Sequence, residues 1–129
     1  MAPPEQPNLL VMGLPPNPNN QIDKPLEQAR TEAESKGYNL TICTLDPINW
    51  PEEQTLSVLG KELDTRKYTV ISIGFGVRGN RGATPMFEKM VNLCVEKQPG
   101  AKFGFAVHPT DIVSACERAM GVSERIVGL

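Results

Sequence analysis

Along the chain, short uninterrupted apolar runs alternate with longer stretches in which apolar residues return every three or four positions. The first run, Leu9-Leu-Val-Met12 after Asn8, closes on Gly13 and has the pattern of a strand buried on both faces. Pro15, Pro16 and Pro18, interleaved with Asn17, Asn19 and Asn20, then forbid regular structure and predict a stiff loop, because each proline fixes its own φ. Ile22, Leu26, Ala29 and Ala33 recur at helical spacing up to Gly37, with Asp23 as a capping residue and Pro25 tolerated in the first turn. A second strand follows from Tyr38 to Leu45 and ends at Asp46-Pro47. Asn49, Pro51 and Glu52 read as a helix start for the stripe Leu56, Leu59 and Leu63.

Tyr68-Thr-Val-Ile-Ser-Ile73 is β-branched and apolar, the strongest strand signal in the chain, and it runs into the glycine-rich stretch Gly74-Phe-Gly-Val-Arg-Gly-Asn-Arg-Gly82. Thr84 and Pro85 read as the cap and first turn of a third helix, with Phe87, Met90, Val91 and Cys94 on one face until Pro99-Gly100. A fourth strand spans Lys102 to Val107 and gives out at His108-Pro109. The fourth helix starts near Thr110 or Asp111 and stops at Met120, before Gly121. Residues 1–7 read as a loose tail, 8–121 as the α/β domain and 122–129 as a C-terminal arm. That arm has three readings: a fifth edge strand, a further helical turn, or a segment packed on a neighbour.

Four strands alternating with four helices imply a parallel sheet with right-handed crossovers and helices on both faces. The short strands and small size favour a three-layer α/β/α sandwich with the flavodoxin-like strand order 2-1-3-4. In that order the winding reverses between the first and third strands, and ligands bind outside the carboxyl ends of the strands at such a point. The expected site therefore lies in residues 13–22 and 74–84.

Formal net charge is only -2, but ten acids stand against four bases in residues 1–64 and five against nine in 65–129. The overall balance carries no nucleic-acid footprint, and the second half is the better home for an anion. Solvated acidic faces on the first two helices would give the same asymmetry. No apolar run approaches the roughly 18 residues that span a bilayer, so no membrane segment is expected, and the chain reads as cytoplasmic. Cys43, Cys94 and Cys116 are scattered and there is a single histidine, so neither a metal site nor a disulfide framework is expected.

Gly74, Gly76 and Gly79 match G-x-G-x-x-G, which would let backbone N–H groups approach an anion. The match follows the third strand rather than the first and lacks the acidic partner of a dinucleotide site, so no cofactor is expected. Gly76, Arg78, Gly79, Asn80, Arg81 and Thr84 are the candidate substrate-binding residues, with Asn17 as an amide contact from the proline-rich loop. The same residues could instead form a tight turn with arginines paired to surface carboxylates. His108, where the fourth strand ends, is the candidate catalytic acid or base; a packed imidazole orienting the turn at Pro109 is the structural alternative. Asp46 and Asp111 have turn and capping roles. The cysteines read as small buried hydrophobes. Extra apolar positions on the third helix (Met86, Leu93, Val95) suggest self-association as a homodimer.

The stretches Ile73-Gly-Phe-Gly-Val-Arg78, Phe87-Glu-Lys-Met-Val-Asn92 and Pro99-Gly-Ala-Lys-Phe103 resemble a set of small, functionally unassigned α/β proteins of bacteria and fungi. The likeness covers roughly residues 9–120 and implies the fold without an activity; the small, basic insert from Gly79 to Ala83 departs from it. Two function classes follow. One is an enzyme that binds a small carboxylate or phosphate, with His108 in proton-transfer, isomerase or lyase chemistry; the other is a non-catalytic anion-binding or assembly protein.

Overall fold

The computed structural model describes residues 6–15 and 23–128. The strands β1 (Asn8–Gly13), β2 (Asn39–Thr44), β3 (Val70–Ile73) and β4 (Lys102–Phe105) form one parallel sheet in the order β2-β1-β3-β4. The helices are α1 (Asp23–Ser35), α2 (Glu52–Leu63), the single turn α3 (Phe75–Arg78), α4 (Thr84–Lys97) and α5 (Ile112–Met120). The fold is thus the α/β sandwich with the 2-1-3-4 order that the alternation of patterns implies.

Alternation along the strands divides the core. Leu10 and Met12 of β1 and Ile71 and Ile73 of β3 pack with Leu59 and Leu63 of α2 and with Met90 and Cys94 of α4. Leu9, Val11 and Val70 turn to the opposite face, against Ala29 and Ala33 of α1 and residues 112–116 of α5. Because β1 and β3 are covered on both faces, their runs are continuously apolar rather than alternating. Each fully buried Leu, Ile or Met contributes about 1.5–3 kcal/mol of transfer free energy.

Two buried polar side chains tie the helices to the sheet. Gln98 accepts from the Tyr68 N–H at 3.0 Å and donates to the Leu63 and Arg66 carbonyls at 2.8 Å each, closing the link between α2 and β3 against the end of α4. On the other face Glu117 of α5 accepts from Lys36 Nζ at 3.0 Å and from the Tyr38 hydroxyl at 2.9 Å.

Local starts and stops differ in detail from the sequence reading. Asn49 does not cap α2: Pro51 occupies that position, and the Asn49 backbone and amide donate to Asp46 at 2.9 Å each in the preceding turn. Thr84 does not cap α4 either, since Ala83 precedes the helix without a side-chain bond. The glycine-rich stretch is mostly helical turn, with α3 and a 3-10 turn at Arg81–Ala83. Glycine's low helix propensity made it read as loop; local hydrogen bonding outweighs that preference over a single turn. The fourth strand is two residues shorter than expected, and a 3-10 turn at Pro109–Asp111 leads into α5.

The tightest contact between layers lies where α5 crosses β4. A Cβ placed on Gly104 would stand 2.7 Å from the Ala115 carbonyl oxygen and 3.0 Å from its carbon. Gly104 therefore sets how closely α5 approaches the sheet. Gly104→Ala is expected to destabilise the fold by about 1–3 kcal/mol through overpacking, read as a lower urea midpoint with unchanged slope. A shift worth less than about 0.5 kcal/mol would contradict the close approach.

Candidate functional site

At the carboxyl ends of β1 and β3, where the winding reverses, the chain leaves a cavity of about 450 Å³. Its wall is built by Met12, Gly13 and Leu14 leaving β1, Leu26 on α1, Gly76 and Val77 in α3, Ala106 and His108 beyond β4, and Ile112 at the start of α5. The volume lies in the range of small-molecule sites, and the lining is apolar except for His108. Burial of Val77 and Ala106 makes the floor part of the core.

His108 is exposed at the rim and is held by its own turn. Nδ1 accepts from the Thr110 backbone N–H at 3.2 Å and lies 2.9 Å from the Thr110 hydroxyl. A backbone amide can only donate, so Nδ1 presents its lone pair and the neutral ring carries its proton on Nε2.

The residues of the glycine-rich stretch are spent largely on one another. Gly74 N–H donates to the Met12 carbonyl at 3.1 Å, and the N–H groups of Val77 and Arg78 donate to the Gly74 carbonyl, closing α3. Asn80 accepts from Gly82 N–H at 2.9 Å through its side chain and from Ala83 N–H through its carbonyl, so it caps the 3-10 turn. Arg78 Nη2 donates to the Ala106 carbonyl at 3.1 Å, with the guanidinium 5.5 Å from the centre of the Phe105 ring. That fastens the exit of β3 to the exit of β4. Gly79, Arg81 and Thr84 are exposed and stand outside the cavity wall. Of the sequence-derived candidates the structure brings Gly76 and His108 to the pocket; Asn17 and the rest of 16–22 lie outside the described residues.

No protein-family model, curated protein or solved structure compared with the chain matches it.

Beneath the pocket lies a cluster that the sequence reading reduced to a cap. Asp111 is 0% exposed. Its Oδ1 accepts from Arg118 Nη1 and from Val127 N–H, each at 2.9 Å, and its Oδ2 from Arg118 Nη2 at 2.9 Å and from Val107 N–H at 3.1 Å. Arg118 in turn donates to the carbonyls of Arg125 at 2.7 Å and Phe105 at 3.1 Å. Lys102 N–H bonds to Thr69 of the neighbouring chain segment, so by alternation Phe105 C=O and Val107 N–H face the free edge of the sheet. The ion pair covers both groups. An uncovered edge is a template for pairing with another chain, and here a carboxylate and a guanidinium occupy it. An Asp at a helix start with an Arg two turns on was the legible signal, since about seven residues return to one side of a helix.

Burial by itself would raise the Asp111 carboxyl, but the Arg118 fork and the amides of Val127 and Val107 hold it below the usual carboxylate range. The thiols behave oppositely: burial pushes Cys43 up to about 11 and Cys94 and Cys116 up to about 12, which leaves them protonated hydrophobes. Among the described residues, no group of three or more His, Cys, Asp or Glu is placed to hold a metal, and no helix is long and apolar enough to cross a membrane.

Asp111→Asn keeps the shape and removes the charge that Arg118 faces, at an expected loss of about 1.5–3 kcal/mol at pH 7. A lowered native pKa gives stability that is complete above the unfolded value of about 3.9 and is lost as pH falls through the native value. The gap in urea midpoint between wild type and variant should therefore be wide at pH 7 and narrow in acid. An equal gap at pH 7 and pH 3 would rule out the charged pair as its source.

Proposed function

We propose that the chain is a small-molecule-binding domain whose ligand seats an apolar body in the cavity at the carboxyl ends of β1 and β3 and presents a hydrogen-bond acceptor, such as a carboxylate, to His108. The observation that carries this reading is the cavity itself: about 450 Å³, apolar, at the winding reversal, with one polar side chain at its rim. Such a lining rewards apolar burial, at about 25 cal/mol per Å² removed from water, and the single imidazole orients the ligand. The anionic character expected from the charge distribution attaches to the ligand's head group rather than to a phosphate cradle. The N–H groups of Gly74, Val77, Arg78 and Gly82 are already bonded within the chain, and Arg78 donates to Ala106.

Binding is favoured over turnover because His108 has no acid or base partner in the described cavity wall. Asp111, three residues away, is committed to Arg118 and to two amides.

Gly13 supplies a clean test, since a Cβ added there meets nothing within 4 Å among the described residues. In an NMR titration 1-naphthoate should bind saturably at about millimolar affinity or tighter. Gly13→Leu should weaken it at least roughly tenfold by filling the cavity while leaving the melting temperature within a few degrees. His108→Ala should weaken naphthoate more than naphthalene-1-methanol, because only the carboxylate loses a charge-assisted bond of about 1.5–3 kcal/mol. Absence of saturable binding, or indifference to Gly13→Leu, would overturn the proposal.

A further inference from the structure

We infer that residues 122–128 form a strap that completes this pocket by fixing the His108 imidazole at its rim, so that docking of the strap and binding of the ligand are coupled. The inference rests on the pocket reading above and adds to it a second element, remote in sequence from the cavity wall.

The path of the strap is defined by polar anchors. Gly121, at φ +75, ends α5 in the left-handed conformation, and its N–H and that of Val122 bond to the Arg118 and Glu117 carbonyls. The chain then doubles back along the side of α5 that carries Asp111, Ser114 and Arg118. The Arg125 carbonyl accepts from Ser114 Oγ and from Arg118 Nη1, and Val127 N–H donates to Asp111 Oδ1. Apolar burial contributes little, since Val122 and Ile126 are 63% and 45% exposed.

The strap ends on the histidine. Gly128 stands at φ +93, and a Cβ built there would lie 2.6 Å from both Cγ and Nδ1 of His108 and 2.7 Å from its Cβ. These atoms are the root of the imidazole rather than the end of a flexible chain, so any side chain at position 128 must displace the ring or lift the strap. Glycine alone allows both to stay. The same short turn carries both partners: Asp111, which holds Val127, follows His108 by three residues and donates its N–H to the His108 carbonyl at 2.8 Å.

Two consequences define the ligand class and the coupling. With Nδ1 occupied by Thr110 and the ring backed by Gly128, the imidazole has Nε2–H as its remaining donor, unpaired among the described residues, which selects a carbonyl or carboxylate head group. Because hydrogen bonds rather than a core hold the strap, a ligand that needs the fixed ring also favours the docked strap.

The chain's single histidine makes the contact observable in the intact protein. The His108 ring Cε1–H resonance and the 1-naphthoate dissociation constant should be compared in wild type, Gly128→Val and Glu124→Ala, the last an exposed strap position. Gly128→Val should move the resonance and raise the dissociation constant by about fivefold or more, the lower end of ordinary coupling, while Glu124→Ala leaves both unchanged. Ser114→Ala, which removes one anchor of Arg125, should act in the same direction and guards against a local folding defect at Gly128. An unmoved resonance in Gly128→Val would overturn the contact. A moved resonance with unchanged naphthoate affinity would overturn the coupling while the pocket stands. If wild type fails to bind naphthoate, the pocket reading fails and the coupling falls with it.

Discussion

A single buried carboxylate joins three parts of this fold that are separated in sequence. Asp111 sits between the exit of β4, the start of α5 and the returning strap, and every acceptor position it offers is taken by Arg118, Val107 or Val127. A charge with no exposed surface is tolerated only when it is paired and fully hydrogen-bonded, and here the planar fork of arginine meets both oxygens. Removing either partner would leave a charge facing a desolvated site, so the cluster acts as a unit. It closes the free edge of the sheet, orients the Pro109–Asp111 turn and anchors the strap.

The pocket depends on the same turn. His108 begins it and Asp111 ends it, while Arg78 grips the Ala106 carbonyl from the other side. The exit of β4 is thus clamped by two arginines, one from α3 and one from α5, and the rim of an apolar cavity is held by charged groups that do not line it. Apolar surface lines the cavity; the polar framework around it fixes where the one imidazole stands.

Much of the architecture was legible in the sequence because its signals are local. The run from Leu9 to Met12, the β-branched stretch ending at Ile73 and the stripes of α2 and α4 each identify an element by spacing alone, and the alternation of elements then limits the topology to few arrangements. The winding reversal directed attention to the ends of β1 and β3, where the cavity lies. What escaped was set by contacts across the fold. The preference of glycine for irregular backbone hid the helical turn at α3, and the reach of Arg78 to Ala106 depends on where β4 ends. Asp111 looked like an ordinary cap because its ties to the Val107 N–H beyond β4 and to a strap whose course no local pattern predicts add to the pairing with Arg118 that helix spacing alone suggests. Gln98 was equally silent: an amide near a helix end gives no hint of three buried backbone partners.

Chemical-shift mapping of the labelled full chain with a small set of apolar carboxylate fragments addresses the central claim most directly, since it reports where ligands bind without presupposing which. The expected result is a contiguous set of shifts at Gly13, Gly76, Val77, Ala106 and His108, larger for carboxylates than for neutral analogues of the same shape. Shifts gathered instead between α2 and α4, around Leu56, Gly60 and Leu93, or scattered without saturation, would contradict a ligand site at the carboxyl edge of the sheet.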